Sequence, residues 1–222
     1  MKKIINDPEH VVSEMLAGIE ISDSSLRYIP GFEVIARREP NKEKVAIISG
    51  GGSGHEPAHA GYVGRGMLDA AVAGNVFASP SPDRILEAIH QVGGDKGILM
   101  VIKNYSGDIM NFSMAAELAE MEGYKVMSVV TRDDVAVPES TYSTGRRGIA
   151  GTVFVHKIAG AAAEAGRSLE EVRDIAQKVI DNTRSMGMAM SPCILPGVGK
   201  PGFVLADDEI EVGMGIHGEP GV

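Results

Sequence analysis

Residues 45–59 read VAIISGGGSGHEPAH, an apolar run that is followed directly by a glycine-rich loop. A continuous apolar run of this kind is typical of a strand covered on both faces, as in a parallel sheet. Two similar runs are GILMVIKN at 97–104 and KVMSVVT at 125–131. FEVIARR at 32–38 alternates more and could form an edge strand. These stretches predict the strands of one open sheet.

Amphipathic stretches separate the predicted strands. Ser81 and Pro82 provide an N-cap and a first-turn proline for a helix with an apolar stripe, and residues 108–121 show a similar pattern. Further helices are predicted at about 148–166 and at 168–185, the second of which opens with the capping box SLEE. Strands that alternate with helices in this way predict an α/β fold with a largely parallel sheet flanked by helices.

The composition changes after residue 185. The segment SMGMAMSPCILPGVGKPG is rich in Met, Gly and Pro, and the alternating, strand-like DEIEVGMGI follows it. We therefore predict a first α/β domain at 1–185. Residues 186–222 are expected to open a second α/β domain, which is apparently truncated at GEPGV.

The composition also argues against several classes of protein. A formal net charge of -9 argues against electrostatic binding to nucleic acid or to an anionic membrane. The single cysteine, Cys193, excludes an intrachain disulfide framework and fits a reducing cytoplasm. Neither a signal peptide nor an apolar stretch of the ~18 residues needed for a spanning helix is evident. We therefore expect a cytoplasmic protein whose partner is neutral or another protein.

The loop after the first strand is the strongest local signal for a binding site. In open α/β sheets, ligands bind just outside the carboxyl ends of the strands, and consecutive glycines leave backbone N–H groups uncovered. The spacing does not fit a Walker loop or a dinucleotide fingerprint, because His55 and Glu56 follow Gly54. A plain tight turn, with His55 in a capping or packing role, is the alternative.

Two further segments carry polar side chains at predicted loop positions. VIKNYSGDIMNF places Lys103, Asn104, Tyr105 and Asp108 at a strand-to-helix turn, where Asp108 could serve as a base or simply as a helix cap. GMGIHGEPG places His217 among glycines, which leave an imidazole open to a ligand. An exposed loop histidine with no role is the alternative for His217.

Other polar residues provide weaker evidence of a site. His10, His90 and His156 lie on predicted helices and are expected at the surface or partly packed, without a function. No histidine or cysteine spacing supports a metal site. The pair at 146–147 in YSTGRRGIAG could hold an anion or a partner's carboxylate, or form a solvated turn.

Together, SGGGSGHEP, KNYSGDIMNF, DDVAV, GRRGIAGT and GMGIHGEPG resemble the dihydroxyacetone kinases, in particular the substrate-binding K subunit of the phosphotransferase-linked bacterial enzymes. The resemblance extends from MKKIIND to GIHGEPG, and the motifs occur in the family's order. Members of that family continue well beyond GIHGEPG, so the resemblance implies that this chain is a partial subunit.

The resemblance implies a role for each matching residue. The substrate pocket would be formed by Gly52, Ser53, Gly54, His55, Lys103, Asp108 and His217. Of these, His217 would hold the ketone as a covalent hemiaminal, which separates ketones from glycerol by bond formation. Asp108 would accept the hydroxyl proton with help from His55, and Lys103 would orient the sugar.

The resemblance also implies partners. Because the chain has no P-loop, no kinase motif set and no carboxylate cluster for Mg²⁺, we expect no cofactor in this chain. Nucleotide (ADP or ATP) and Mg²⁺ would reside on a separate L subunit, recharged in bacterial systems by a phosphotransferase M subunit. The chain is expected to form a homodimer. Two alternatives remain open: a dihydroxyacetone-sensing co-activator of a transcription factor, and a kinase subunit for another short ketose such as erythrulose.

Overall fold

The computed structural model describes residues 4–136 and 145–215, and its central feature is a six-stranded sheet. The strands are β1 (Leu26–Ile29), β2 (Val34–Arg37), β3 (Ala46–Ser53), β4 (Ala70–Val76), β5 (Ile98–Lys103) and β6 (Val126–Thr131). Their order across the sheet is β1-β2-β4-β3-β5-β6. Strands β4, β3, β5 and β6 run parallel, whereas β1 and β2 pair antiparallel at one side. The predicted fold class is confirmed.

Helices cover both faces of this sheet. They are α1 (Val11–Ser22), α2 (Pro82–Val92), α3 (Ser106–Met121), α4 (Thr152–Glu164) and α5 (Leu169–Asn182). Ile47 packs with α1, α4 and α5, whereas Ala46 and Ile48 pack with α2 and α3 on the opposite face. This alternation explains why the sequence of β3 is apolar without interruption. Within the described residues, none of these helices is long and apolar enough to cross a membrane.

Some strand predictions were wrong. FEVIARR does not form an edge, because β2 lies between β1 and β4 with Val34, Ile35 and Ala36 fully buried. KVMSVVT forms β6, which is the edge strand; α3 and α5 contact it from opposite faces, but only Val129 and Thr131 are buried. Strands β1 and β4 were not predicted, since LRYI is short and AAVAGNV consists mostly of small residues.

The helix boundaries follow local signals closely. Helix α2 has Ser81 at its N-cap and Pro82 in its first turn, as predicted. The capping box of α5 is formed, since the Ser168 side chain accepts from the N–H of Glu171 and the Glu171 carboxylate accepts from the N–H of Ser168. Helix α4 begins at Thr152, later than the predicted start near 148, because the preceding residues form a turn bound to a buried carboxylate.

Beyond α5 the chain forms little regular structure. Strands β7 (Met188–Ala189) and β8 (Glu211–Val212) make a short antiparallel pair. The alternating stretch DEIEVGMGI therefore contributes only two residues to a strand among those described. The domain boundary near residue 185 stays a prediction, as does a second domain at 186–222.

Candidate active site

The carboxyl ends of the parallel strands bring two predicted segments together. Strand β3 ends at Ser53 and β5 ends at Lys103, and these neighbouring strands run parallel. The glycine-rich loop and the turn after β5 consequently lie at the same edge of the sheet. This is the position at which open α/β sheets bind ligands.

Gly51 is the point at which the two segments meet. A Cβ atom at this position would lie 3.0 Å from Lys103 Nζ and 3.6 Å from Asp108 Oδ2. Both side chains are almost completely buried, Lys103 at 2% and Asp108 at 1% exposure. The lysine ammonium and the aspartate carboxylate are therefore held against the loop backbone, and glycine leaves the space that they occupy.

The loop packs against the segment that follows β4. A Cβ atom at Gly52 would lie 2.7 Å from the backbone nitrogen of Ala78, and one at Gly54 would lie 2.5 Å from Phe77 Cε1. Gly54 also has a φ of +104°, which side chains rarely adopt. The half-buried imidazole of His55 stacks on the Phe77 ring, with centroids 5.3 Å apart and planes 5° from parallel. This stacking fixes the plane of the imidazole beside the loop.

Ser53 is engaged in the sheet. Its buried hydroxyl donates to the carbonyl of Gly74 at 2.7 Å and so joins β3 to β4. A contact between Ser53 and a ligand would therefore use the hydroxyl lone pairs or the backbone. The residue is at the predicted place, but the Ser53 side chain also has a structural function.

Asp108 is not the helix cap. Helix α3 begins at Ser106 with Tyr105 as its N-cap, which places Asp108 one position beyond Gly107 within the first turn. The Ser79 hydroxyl donates to Asp108 Oδ1, and the free N–H groups of the helix start favour a carboxylate. Asp108 thus has one oxygen fixed by Ser79, while Oδ2 is the oxygen near Gly51.

Asn104 and Arg147 have structural contacts. The Asn104 amide donates to the Arg146 carbonyl at 2.7 Å. The Arg147 guanidinium is buried and binds one oxygen of Asp134 through Nε at 2.8 Å and Nη2 at 2.6 Å. Its Nη2 also donates to the Gly213 carbonyl. For Arg147, both the anion-binding and the solvated-turn interpretations are therefore wrong, because an internal carboxylate binds it.

Two histidines were missed by sequence reasoning. His156 is fully buried rather than at the surface, and its Nε2 lies 3.1 Å from Nδ1 of the buried His59. Burial, with a contribution from the Lys103 charge, lowers the pKa of His156 to about 3 and holds that of His59 well below its usual value. The helical spacing of His156 with Ala159 and Ala163 was the signal that could have indicated burial.

A cavity of about 420 Å³ adjoins these side chains. His55, His59, Lys103 and His156 all line it, with the start of α4 forming another wall. Of the other predicted site residues, His217 lies outside the described part of the chain. Within 4–136 and 145–215, no three histidine, cysteine or acidic side chains are placed to hold a metal ion together.

A family model described as the Dak1 domain matches residues 17–222 of this chain. The chain belongs to the Dak1 domain family. One relative, the dihydroxyacetone-binding subunit DhaK of PTS-dependent dihydroxyacetone kinase 1 from Listeria innocua, is 57% identical over the whole chain, which covers 68% of that protein. The corresponding subunit of the PEP-dependent kinase from Escherichia coli is 50% identical, and the chain covers 63% of it. The resemblance inferred from the motifs is confirmed.

Solved structures share the Dak1 fold seen here. The dihydroxyacetone kinase of C. freundii in complex with AMP-PNP and Mg²⁺ superimposes with a TM-score of 0.92 at 46% identity, over 99% of this chain and 41% of that chain. A structure described as the dihydroxyacetone kinase operon co-activator Dha-DhaQ gives a TM-score of 0.88 at 44% identity, over 94% of this chain and 64% of that chain. Both the kinase and the co-activator are therefore built on this fold.

Proposed function

We propose that this chain is the dihydroxyacetone-binding part of a dihydroxyacetone kinase, a transferase that phosphorylates an alcohol. The main observation in support of the proposal is that Lys103 Nζ and Asp108 Oδ2 both lie close to Gly51, in the loop that also holds the stacked imidazole of His55. A relative with 57% identity is named as the dihydroxyacetone-binding subunit of such an enzyme. The chain spans about two thirds of that relative's length.

In this proposal Asp108 is the general base. Its Oδ2 accepts the proton of the terminal hydroxyl as that oxygen attacks the phosphoryl group, and His55 shares or relays the proton. The Ser79 hydroxyl holds the other carboxylate oxygen, which keeps the accepting oxygen in a constant position. Lys103 binds a ligand oxygen, and Gly52, Ser53 and Gly54 form the loop side of the pocket.

His217 is proposed to hold the ketone covalently. One imidazole nitrogen adds its lone pair to the carbonyl carbon, the carbonyl oxygen takes up a proton, and the imidazole loses its own N–H proton. The product is a hemiaminal that contains every atom of the ketone, since no water leaves. Glycerol has no carbonyl carbon and forms no such bond.

The phosphoryl donor is proposed to lie on a partner. We assign ADP or ATP and Mg²⁺ to a separate L subunit, recharged by a phosphotransferase M subunit, because the chain carries no P-loop sequence. Support comes from the relatives, which are named as subunits of PTS-dependent and PEP-dependent kinases. A homodimer is part of the same proposal.

A second candidate is a dihydroxyacetone-sensing co-activator. The similarity to the operon co-activator structure favours it, and a sensor would also retain a ketone-binding histidine. The presence of both His55 and Asp108 favours the kinase, since a proton acceptor serves phosphoryl transfer and not mere binding. Turnover with a donor subunit separates the two candidates.

The experiment is intact-mass spectrometry of the chain after incubation with dihydroxyacetone. We expect the mass to rise by one dihydroxyacetone without loss of water, and His217→Ala to abolish the increase. His10→Ala, a change at an exposed histidine, is the matched control and should leave the adduct intact. An adduct that persists in His217→Ala would contradict the assignment of the nucleophile.

A further inference from the structure

His59 and His156 form a buried pair that the proposed mechanism does not use. The two residues are separated by 97 positions in the sequence, and their rings meet edge to face with centroids 5.3 Å apart. His59 is 6% exposed and His156 is fully buried. Both rings line the cavity that His55 and Lys103 also line.

The neighbouring Ser49 indicates where the protons of the pair lie. The Ser49 hydroxyl donates to the Val101 carbonyl at 2.6 Å, so its oxygen is available as an acceptor for His59 Nδ1 at 3.4 Å. His59 Nδ1 therefore carries a proton, which it shares between Ser49 Oγ and His156 Nε2. It follows that His59 Nε2 is an acceptor and that His156 Nδ1–H is a donor.

His59 Nε2 and His156 Nδ1 have no hydrogen-bond partner within the part of the chain that the structure describes. A buried polar atom without a hydrogen-bond partner raises the free energy of the folded state. Two such atoms beside a cavity therefore indicate a hydrogen-bonding group that enters the cavity. Both rings are uncharged at neutral pH, since burial holds the pKa of each well below its usual value. One neutral donor and one neutral acceptor match a hydroxyl group, which both donates and accepts, better than they match an ion.

We propose that His59 and His156 form a hydroxyl-binding subsite, which holds the hydroxymethyl group of the substrate that is not phosphorylated. The inference rests on the proposed function, because it needs a hydroxyketone in this cavity. The subsite would make the second hydroxyl, and not only the ketone, a determinant of specificity.

Lys103 connects this subsite to the proposed base. Its ammonium and the Asp108 carboxylate both lie close to Gly51. Its positive charge also contributes to the lowered pKa of both imidazoles. The cavity, at about 420 Å³, is many times the ~30 Å³ share of one water molecule, so it has room for a whole hydroxyketone. One arm of the ketone can then lie near Lys103 while the other meets the histidine pair.

The test compares dihydroxyacetone with hydroxyacetone, which has the same ketone but only one hydroxyl. Titration calorimetry on the full chain should show dihydroxyacetone binding about tenfold more tightly, the order expected when one or two hydrogen bonds to buried groups are lost. In His156→Leu the preference should fall to about twofold or less. His90→Leu alters a histidine on α2 whose ion-pair partners are Glu87 and Glu122, and it should keep the wild-type preference.

A measurement on the unaltered chain covers the case in which His156→Leu does not fold. Imidazole ¹⁵N NMR should show His59 protonated on Nδ1 and His156 protonated on Nδ1. Dihydroxyacetone should shift the signals of His59 Nε2 and His156 Nδ1 more than hydroxyacetone does.

The outcomes separate this inference from the proposed function. If the wild-type chain binds dihydroxyacetone but His156→Leu keeps the tenfold preference, the subsite is refuted and the function stands. Binding that leaves both imidazole signals unmoved would also refute the subsite, since water alone would then satisfy the pair. If the wild-type chain binds neither ketone, the proposed function fails.

Discussion

Replacing Arg147 with methionine tests how much the buried ion pair between Arg147 and Asp134 stabilises the fold. The change removes two guanidinium hydrogen bonds to Asp134, at 2.8 and 2.6 Å, and a third to the Gly213 carbonyl. Asp134 is fully buried and would keep a charge without its counter-ion. Breaking a buried pair in this way typically costs about 3–5 kcal/mol, so we expect the free energy of unfolding to fall by about that amount.

Urea unfolding followed by circular dichroism would measure the loss. Arg65→Met is the matched control, because Arg65 pairs with Glu164 at 3.1 Å with its own side chain 83% exposed, and it should change stability by at most about 1 kcal/mol. The double variant Arg147→Met with Asp134→Leu should recover part of the loss, since neither charge is left buried alone. A free energy of unfolding for Arg147→Met within about 1 kcal/mol of wild type would refute the reasoning.

The remaining predictions concern the site. Asp108→Asn should leave the covalent adduct intact but lower kcat by about 10²- to 10⁴-fold in a coupled assay with the donor subunit, and unchanged turnover would refute the assignment of the base. Gly54→Ala should reduce kcat/KM and stability together, because the new methyl group meets the Phe77 ring on which His55 stacks; activity equal to wild type would contradict this packing. The lowered pKa of His156 means that the unfolded chain binds a proton below about pH 6.5 that the folded chain does not, so folding stability should fall by about 1.4 kcal/mol per pH unit between pH 6.5 and about 3 from this residue alone. In His156→Leu, urea midpoints measured across this range should decline less steeply, and an identical slope would contradict the burial of a neutral imidazole.

Local sequence signals were sufficient for most secondary structure and for part of the site. Ser168 defines the start of α5, since its side chain and the N–H of Glu171 that it binds are neighbours in the chain. Ser81 precedes Pro82 at the start of α2 without such a bond. Lys103 and Asp108 could be placed with the glycine loop because parallel strands present their carboxyl ends at one edge. This placement depends only on strand direction, which the alternation of helices and strands implies.

The sequence by itself thus determined the α/β class, the glycine loop and the segments that meet at its edge. Only the tertiary structure decided that β2 is internal, that Arg147 is buried against Asp134, and that His59 meets His156 from a distant helix. The physical reason is that periodicity and capping report interactions within a few residues. Burial of a polar side chain depends instead on which distant element packs over it and on whether that element brings a hydrogen-bond partner.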